Sequence, residues 1–324
     1  MKQLSALIVF IAILLVAPAT LFASSQPYIS GHGINFGTGN KYHAETDVRL
    51  DGPIPLTFTR TYNSQSEETG ILGHGWSASS AERLILNPDD PTTIILVQSG
   101  GRQVYFVADG NGEWLNLSGK VRTISASNGQ YQLLEPDRTV LLFDDQGKIL
   151  EKRTLNGYYL TYAYTDSQLT TITDSFGRSL VFSYSNGLLT TLTTPVGTFI
   201  YTCQNGKLTK VTRPDAKFRE YKYEDSVHPY NLTGIIDEKG TSILTVLYDS
   251  LDRAIESFFA DGKEKVIIEY PEFLKRDIKK TITDPATGTS RTIISTYQLE
   301  VKNGIVRVAS FTGPGCSACG SDTG

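Results

Sequence analysis

Three cysteines in 324 residues, Cys203, Cys316 and Cys319, are too few to staple a chain of this length. A disulfide framework is excluded, so stability has to come from packing and hydrogen bonds. The chain also lacks an excess of either charge: Lys plus Arg number 30 and Asp plus Glu 34, a formal net charge of -4. Without a concentrated basic face it has no general grip on phosphate backbones, and nucleic acid is not an expected partner. The densest basic run, KRDIKK from Lys275 to Lys280, alternates with apolar positions and reads as a solvated strand face. The four histidines, His32, His43, His74 and His228, lie far apart with no i, i+4 pairing, so no metal-ligand set is legible. Gly-x-Ser-x-Gly and phosphate-binding loops are missing, and the glycines of HGINFGTGN open no helix. Glu67-Glu68 and Asp144-Asp145 fall in predicted turns, where solvation accounts for them. The expectation is a chain with no catalytic, cofactor or metal site, which is not an enzyme.

Long apolar runs are also missing, with one exception. Leu4 to Ala17 follows a single lysine and is followed by Pro18 and by small residues around Ala23 and Ser25. That is the pattern of a secretory signal peptide, and the run is shorter than a membrane-spanning helix needs. The expected organisation is a signal peptide over 1–24, then an exported, secreted or cell-surface protein with no stable membrane span after cleavage.

What the chain does contain is a repeat. Copies ending at Gly157, Gly177, Gly197, Ala216, Gly240 and Gly262 are separated by 20, 20, 19, 24 and 22 residues, and weaker copies end near Gly288 and Gly315. Such periods mark an array of one supersecondary unit, too small to bury its apolar face alone. Each unit reads as a β-hairpin. Its first half is aromatic at alternate positions, with Tyr162 and Tyr164, Phe182 and Tyr184, Tyr201, Tyr221 and Tyr223, which places these rings on one strand face. Tyr248 marks a later copy. Glu220, Lys222 and Glu224 point the other way. Asn186-Gly187 and Asn205-Gly206 supply the positive φ angles of a tight hairpin turn. The second half carries apolar residues three apart: Leu169 and Ile172, Leu189 and Leu192, Leu208 and Val211, Leu232 and Ile235. On a flat strand this spacing puts the pair on opposite faces, so either both faces are covered or a bulge re-aims one member. Cys203 stands where the second aromatic of its copy belongs, and a buried small hydrophobe is the expected role. Recurrence of the tyrosines at one place in each copy favours core stacking over a sugar-binding platform.

These residues resemble the YD repeat of the Rhs family. The clearest copy is VLYDSLDRAIES, with Tyr248, Asp249, Asp252 and Arg253, and DSFGR at Asp174 to Arg178 matches the other half. Upstream, TGNKYHAETDVRLDGPIPLTFTRTYNSQ (Thr38 to Gln65) and ILGHGWSAS (Ile71 to Ser79) look like the domain that opens many Rhs-type proteins. The alternation of Leu56 and Phe58, breaking at Thr59-Arg60 into Tyr62-Asn63, reads as an edge-like strand, and Trp76 as a core plug capping the array. The resemblance implies a long sheet spiralling into a shell, which in longer members encloses a variable C-terminal segment, often a toxin. Their aspartate-containing self-cleavage boundary is not legible here. Asp284-Pro285 reads as a turn.

The fold expected is all-β: an N-terminal Rhs-type capping domain (25–110), YD-like hairpin repeats (111–315) forming a spiralling antiparallel sheet, and a tail (316–324) carrying Cys316 and Cys319. Eight copies would supply about 16 strands, a ring with a diameter near ~25 Å that side chains would fill. A local disulfide or an idle pair is expected at CSACG, since neither zinc partners nor a helix accompany it. The abrupt end suggests a truncated or split member, whose partners would be the remaining repeats or a toxin segment. The alternatives are a carbohydrate-binding module or adhesin and, third, a hydrolase using scattered carboxylates.

Overall fold

The computed structural model describes residues 29–30, 32–116, 122–259, 262, 264–284, 286–302 and 305–314. The segment 1–24, where a signal peptide is expected, and the tail with Cys316 and Cys319 lie outside them. Among the described residues the regular elements are all β, and they fall into three sheets.

The first is a small five-stranded sheet that runs in chain order through Ile29–Ser30, Ile34–Asn35, Asn40–Leu50, Leu56–Asn63 and Trp76–Ala78. A two-stranded ribbon, Thr69–Gly70 with Gly73–His74, lies between its last two strands in sequence. This cap differs from expectation in one respect. Leu56–Asn63 is no edge: it pairs with Asn40–Leu50 on one side and with Trp76–Ala78 on the other. The apparent break at Arg60 is an arginine on the same alternate face as Leu56, Phe58 and Tyr62, all buried.

From Arg83 the chain enters a sheet of twenty-two strands, paired consecutively and antiparallel from Arg83–Leu86 to Ile305–Thr312. This exceeds the 16 expected because its first strands carry no aromatic repeat signature. The sheet closes on itself early: Arg83 forms an isolated bridge with Lys148, and the Leu84 N–H donates to the Gly147 carbonyl at 2.8 Å. A Cβ at Gly147 would sit 2.2 Å from the Leu84 carbonyl oxygen, so only glycine permits the closure. The strands up to Ile149–Arg153 thereby wrap a core of their own, including Leu84, Leu96, Phe106, Ile124, Leu133 and Phe143. The strands after it coil around the cap, whose Phe58, Tyr62 and Trp76 share one core with Phe182, Tyr201 and Tyr221. Tyr162 touches both cores.

Three local devices build the hairpins. The Asn-Gly turns have the expected left-handed backbone, with Asn186 at φ 50° and Gly187 at φ 80°. In the second strand a bulge resolves the facing question. Tyr184 pairs with Leu189 and Ser183 with Thr191, leaving Thr190 extra; Thr170 and Thr209 are skipped in the same way in their copies. Each extra threonine donates its hydroxyl to a carbonyl across the hairpin, at 3.1, 3.0 and 3.1 Å for Thr170, Thr190 and Thr209. Leu189 and Leu192 consequently face the same core, 1% and 0% exposed.

The third device is an aspartate-organised turn between copies. Asp174 accepts the N–H groups of Phe176 and Arg178 on one carboxylate oxygen, at 2.9 and 3.0 Å, and the Arg178 Nε on the other at 2.7 Å. Asp249 repeats this with Leu251 and Arg253, and Asp144 and Asp237 repeat its backbone part. The Asp-x-x-Gly-Arg pattern is therefore a turn in which one carboxylate satisfies two backbone N–H groups and holds the arginine side chain.

Two outcomes follow. Deleting Thr190 converts the bulged hairpin to a regular one with both leucines still inward, and should cost no more than about 2 kcal/mol in urea denaturation, whereas Leu192→Ala opens a cavity at a fully buried position and should cost about 2–5 kcal/mol. Burial pushes the Asp174 and Asp249 carboxyls up, but the arginine and the backbone N–H donors outweigh it and hold both below the ordinary range. Their stabilisation is complete above the unfolded value near ~4 and is lost as pH falls through the lower folded values. Urea midpoints measured from pH 6 down to pH 3 should fall, and Asp174→Asn should flatten that fall.

Candidate functional site

The feature that distinguishes this molecule from a bare repeat array is the seat of the cap in the concave face of the sheet. Its centre is Arg60, 1% exposed. Antiparallel pairing sets Glu45 opposite Arg60, and a register shift between Thr46 and Val48 leaves Asp47 unpaired, free to reach the same guanidinium. Arg60 Nε and Nη2 grip Asp47 at 2.7 and 2.9 Å, and Nη2 also donates to Glu45 at 2.7 Å. The sheet completes the cluster. Arg60 Nη1 donates to the Tyr221 hydroxyl at 2.8 Å, Tyr221 donates to Glu45 at 2.7 Å, and Tyr201 donates to Asp47 at 2.7 Å. The guanidinium lies 5.5 Å from the ring centres of both Trp76 and Tyr221.

The electrostatics follow from this geometry. Burial alone would raise Glu45, but the hydrogen bond from His43 and the Arg60 charge reverse it and hold the carboxyl far below its usual range. Burial also disfavours the charge on Arg60, and its contacts with Tyr221, Asp47 and Glu45 outweigh that, so it stays protonated. Tyr201 and Tyr221 are pushed up, chiefly by burial, and act as neutral donors.

Apolar contacts surround the cluster. Phe58 meets Phe182 and Tyr201 edge-on, with ring centres 5.7 and 6.0 Å apart. Trp76 is 1% exposed, packs on Tyr62 and Tyr221, and donates its indole N–H to Tyr223 at 2.8 Å. It sits in the core between cap and sheet. Tyr162, Tyr164, Tyr184, Tyr223 and Tyr248 are half-buried against that same core. A second clamp departs from the sequence expectation. Arg276, within KRDIKK, is 7% exposed and does not lie on a solvated face. It alternates with Ile278 toward the inside and donates Nε and Nη2 to the Phe36 and Gly37 carbonyls of the cap at 2.8 and 3.1 Å. Glu45 and Asp47 have no distinguishing signal of their own in the sequence. Arg60 had a legible signal, its place in the alternation Leu56, Phe58, Arg60, Tyr62.

A groove of about 420 Å³ opens where the cap meets the first hairpins, lined by Glu68, Arg83, Lys148, Tyr164 and Tyr184. Arg83 is paired with Glu68 at 3.3 Å, and Lys148 donates to the Asp166 carbonyl at 3.1 Å.

A consecutive antiparallel β-array that shares one core with its own N-terminal sheet defines the fold class. Residues 31–106 match the family described as a domain of unknown function, DUF6531. The probable deoxyribonuclease RhsB of Dickeya dadantii (strain 3937) is 34% identical over 64 residues, covering 20% of this chain and 4% of that protein. The tRNA nuclease WapA of Bacillus subtilis (strain 168) is 32% identical over 141 residues, 42% of this chain and 6% of that protein. A crystal structure of TcdB2-TccC3-Cdc42 aligns over 85% of this chain and 18% of its own, with a TM-score of 0.40 and 10% identity. With the YD-like repeats, the domain and relative matches make the chain similar to proteins of the Rhs family. It spans 4% and 6% of the length of these two relatives.

Replacing Arg60 by methionine leaves two carboxylates, whose side chains are 20% and 5% exposed, without their cation and should destabilise the chain by up to about 3–5 kcal/mol. Combining it with Glu45→Gln and Asp47→Asn should recover a large part of that loss. Urea denaturation of the single and triple variants reads both.

Proposed function

We propose that this chain is a structural element, the N-terminal cap and first shell segment of an exported Rhs-type molecule of the kind that encloses or presents a C-terminal toxin. The observation that carries this reading is the seating of the cap. The concave face of the repeats is occupied by Phe58, Arg60, Tyr62 and Trp76, so the recurrent aromatics serve as the wall of a filled interior. A sugar-binding platform needs ring faces open to water, and Phe182, Tyr201 and Tyr221 are 4%, 3% and 2% exposed. The carboxylates of the chain that are most strongly engaged, Glu45, Asp174 and Asp249, are consumed by arginines and turn N–H groups, which supports a scaffold over a hydrolase. The signal-peptide pattern supports export, and the remaining repeats or a toxin segment would be its partners.

Hydroxyl-radical footprinting tests the reading with internal controls. Tyr201 and Tyr221 should oxidise at least several-fold more slowly than Tyr105 and Tyr230, which are 47% and 43% exposed. Equal rates across all four would overturn the filled-shell reading, and protection of Tyr162 or Tyr184 by added oligosaccharide would favour the binding-module alternative.

A further inference from the structure

Successive copies of the repeat are tied by one recurring bond. The hydroxyl of Tyr184 donates to the Leu169 carbonyl of the copy before it at 2.7 Å. Tyr223 does the same to Leu208 at 2.8 Å, Tyr248 to Leu232 at 3.0 Å and Tyr270 to Ala254 at 3.0 Å. Between Tyr184 and Tyr223 the series skips a copy. The residue in the tyrosine's place is Cys203, and the carbonyl it would serve belongs to Leu189, which pairs with Tyr184 as Leu169 pairs with Tyr164.

The missing ring leaves room, and the cap fills it. The loop Ile71–His74 enters at this copy: the Leu189 N–H donates to the Ile71 carbonyl at 2.8 Å, and the His74 N–H donates to the Gly206 carbonyl at 2.8 Å. Cys203 directs its Sγ–H at the Leu72 carbonyl, 3.7 Å away, and Leu72 is fully buried. The approach is as close as backbones allow. A Cβ on Gly73, which has φ +94°, would lie 2.4 Å from the Gly206 oxygen. Burial raises the Cys203 thiol to about 11, so it stays a neutral, small, weakly polar filler.

We propose that the interruption of the tyrosine series at Cys203 is a registration slot: it admits the cap loop Ile71–His74 and thereby fixes which copy of the repeat the cap sits on. The inference rests on the cap-and-shell reading and adds to it a residue that positions the two parts. Its logic is volume. A tyrosine at 203 would occupy the space of Leu72 and could complete the series only by expelling the loop, whereas alanine leaves the slot open.

The test is a size series, Cys203→Ala, Cys203→Val, Cys203→Leu and Cys203→Tyr, in the full chain, read by amide-resolved hydrogen exchange. Exchange at the Leu189 and His74 amides should stay within about twofold of the parent for alanine, rise with side-chain volume, and reach at least about tenfold for leucine and tyrosine, while amides of the hairpin Lys275–Thr283 with Ser290–Lys302 change little. Valine and leucine keep the proposal testable if the tyrosine variant fails to fold. Unchanged or slower exchange at both amides in the larger variants would overturn it. That result would leave the filled-shell reading standing, since the latter is judged by tyrosine oxidation and not by these two amides.

Discussion

A β-hairpin has one apolar face too many. Each copy of this repeat turns two aromatics and two aliphatics to the same side, and neighbouring copies extend that surface without covering it. The sheet's right-handed twist curls the surface inward but cannot by itself fill it. Everything else in the molecule answers this constraint. The first strands close into a small barrel-like turn over their own side chains, and the later ones close over the cap. Burying one ring such as Phe58 or Trp76 contributes about 1.5–3 kcal/mol, so the cap strand alone is a substantial part of what stabilises the coil.

The repetition in the sequence is local chemistry copied, with each device confined to a few residues. The Asn-Gly turn sets hairpin twist, the extra threonine re-aims a leucine, the aspartate closes the turn to the next copy, and the tyrosine hydroxyl ties back to the copy before. None of these needs a distant partner, which suits an array that forms by adding neighbours. The cap is different. Its contacts to the sheet join residues far apart in sequence, as from Arg60 to Tyr221 and from Phe36 to Arg276.

This division explains what could be read in advance. Period-2 aromatics and turn dipeptides announced the hairpins, and Trp76 after a glycine-rich turn announced a plug. The leucine spacing posed the right question without answering it, because whether a strand bulges depends on its partner. Arg60 looked like the end of a strand because a charge is ordinarily a surface signal; its carboxylates come from the neighbouring strand and its hydroxyls from the array. Arg276 was hidden among lysines for the same reason, although its alternation with Ile278 pointed inward. The strands from Arg83 to Leu134 lack the tyrosine rhythm, so the count of strands fell short.

The buried ion cluster then has a role that apolar packing cannot perform. Phe58 against Phe182 and Tyr201 is a non-directional contact, and a sheet of near-identical hairpins offers similar apolar seats about 10 Å apart. The positions equivalent to Tyr221 in successive copies are Tyr162, Phe182, Tyr201 and Tyr221. Arg60, Asp47 and Glu45 need two adjacent hydroxyls, and Tyr201 with Tyr221 supplies them. Sliding the cap back by one copy would set Phe182 in the place of Tyr201 and leave Asp47 without that donor, at a cost of about 1–3 kcal/mol or more for a charged group. Desolvating an arginine and two carboxylates gives little net stability compared with an apolar plug. What it supplies here is discrimination between seats that the repeat would otherwise make alike, and the geometry of Tyr201, Tyr221 and Phe182 is the reason one seat wins.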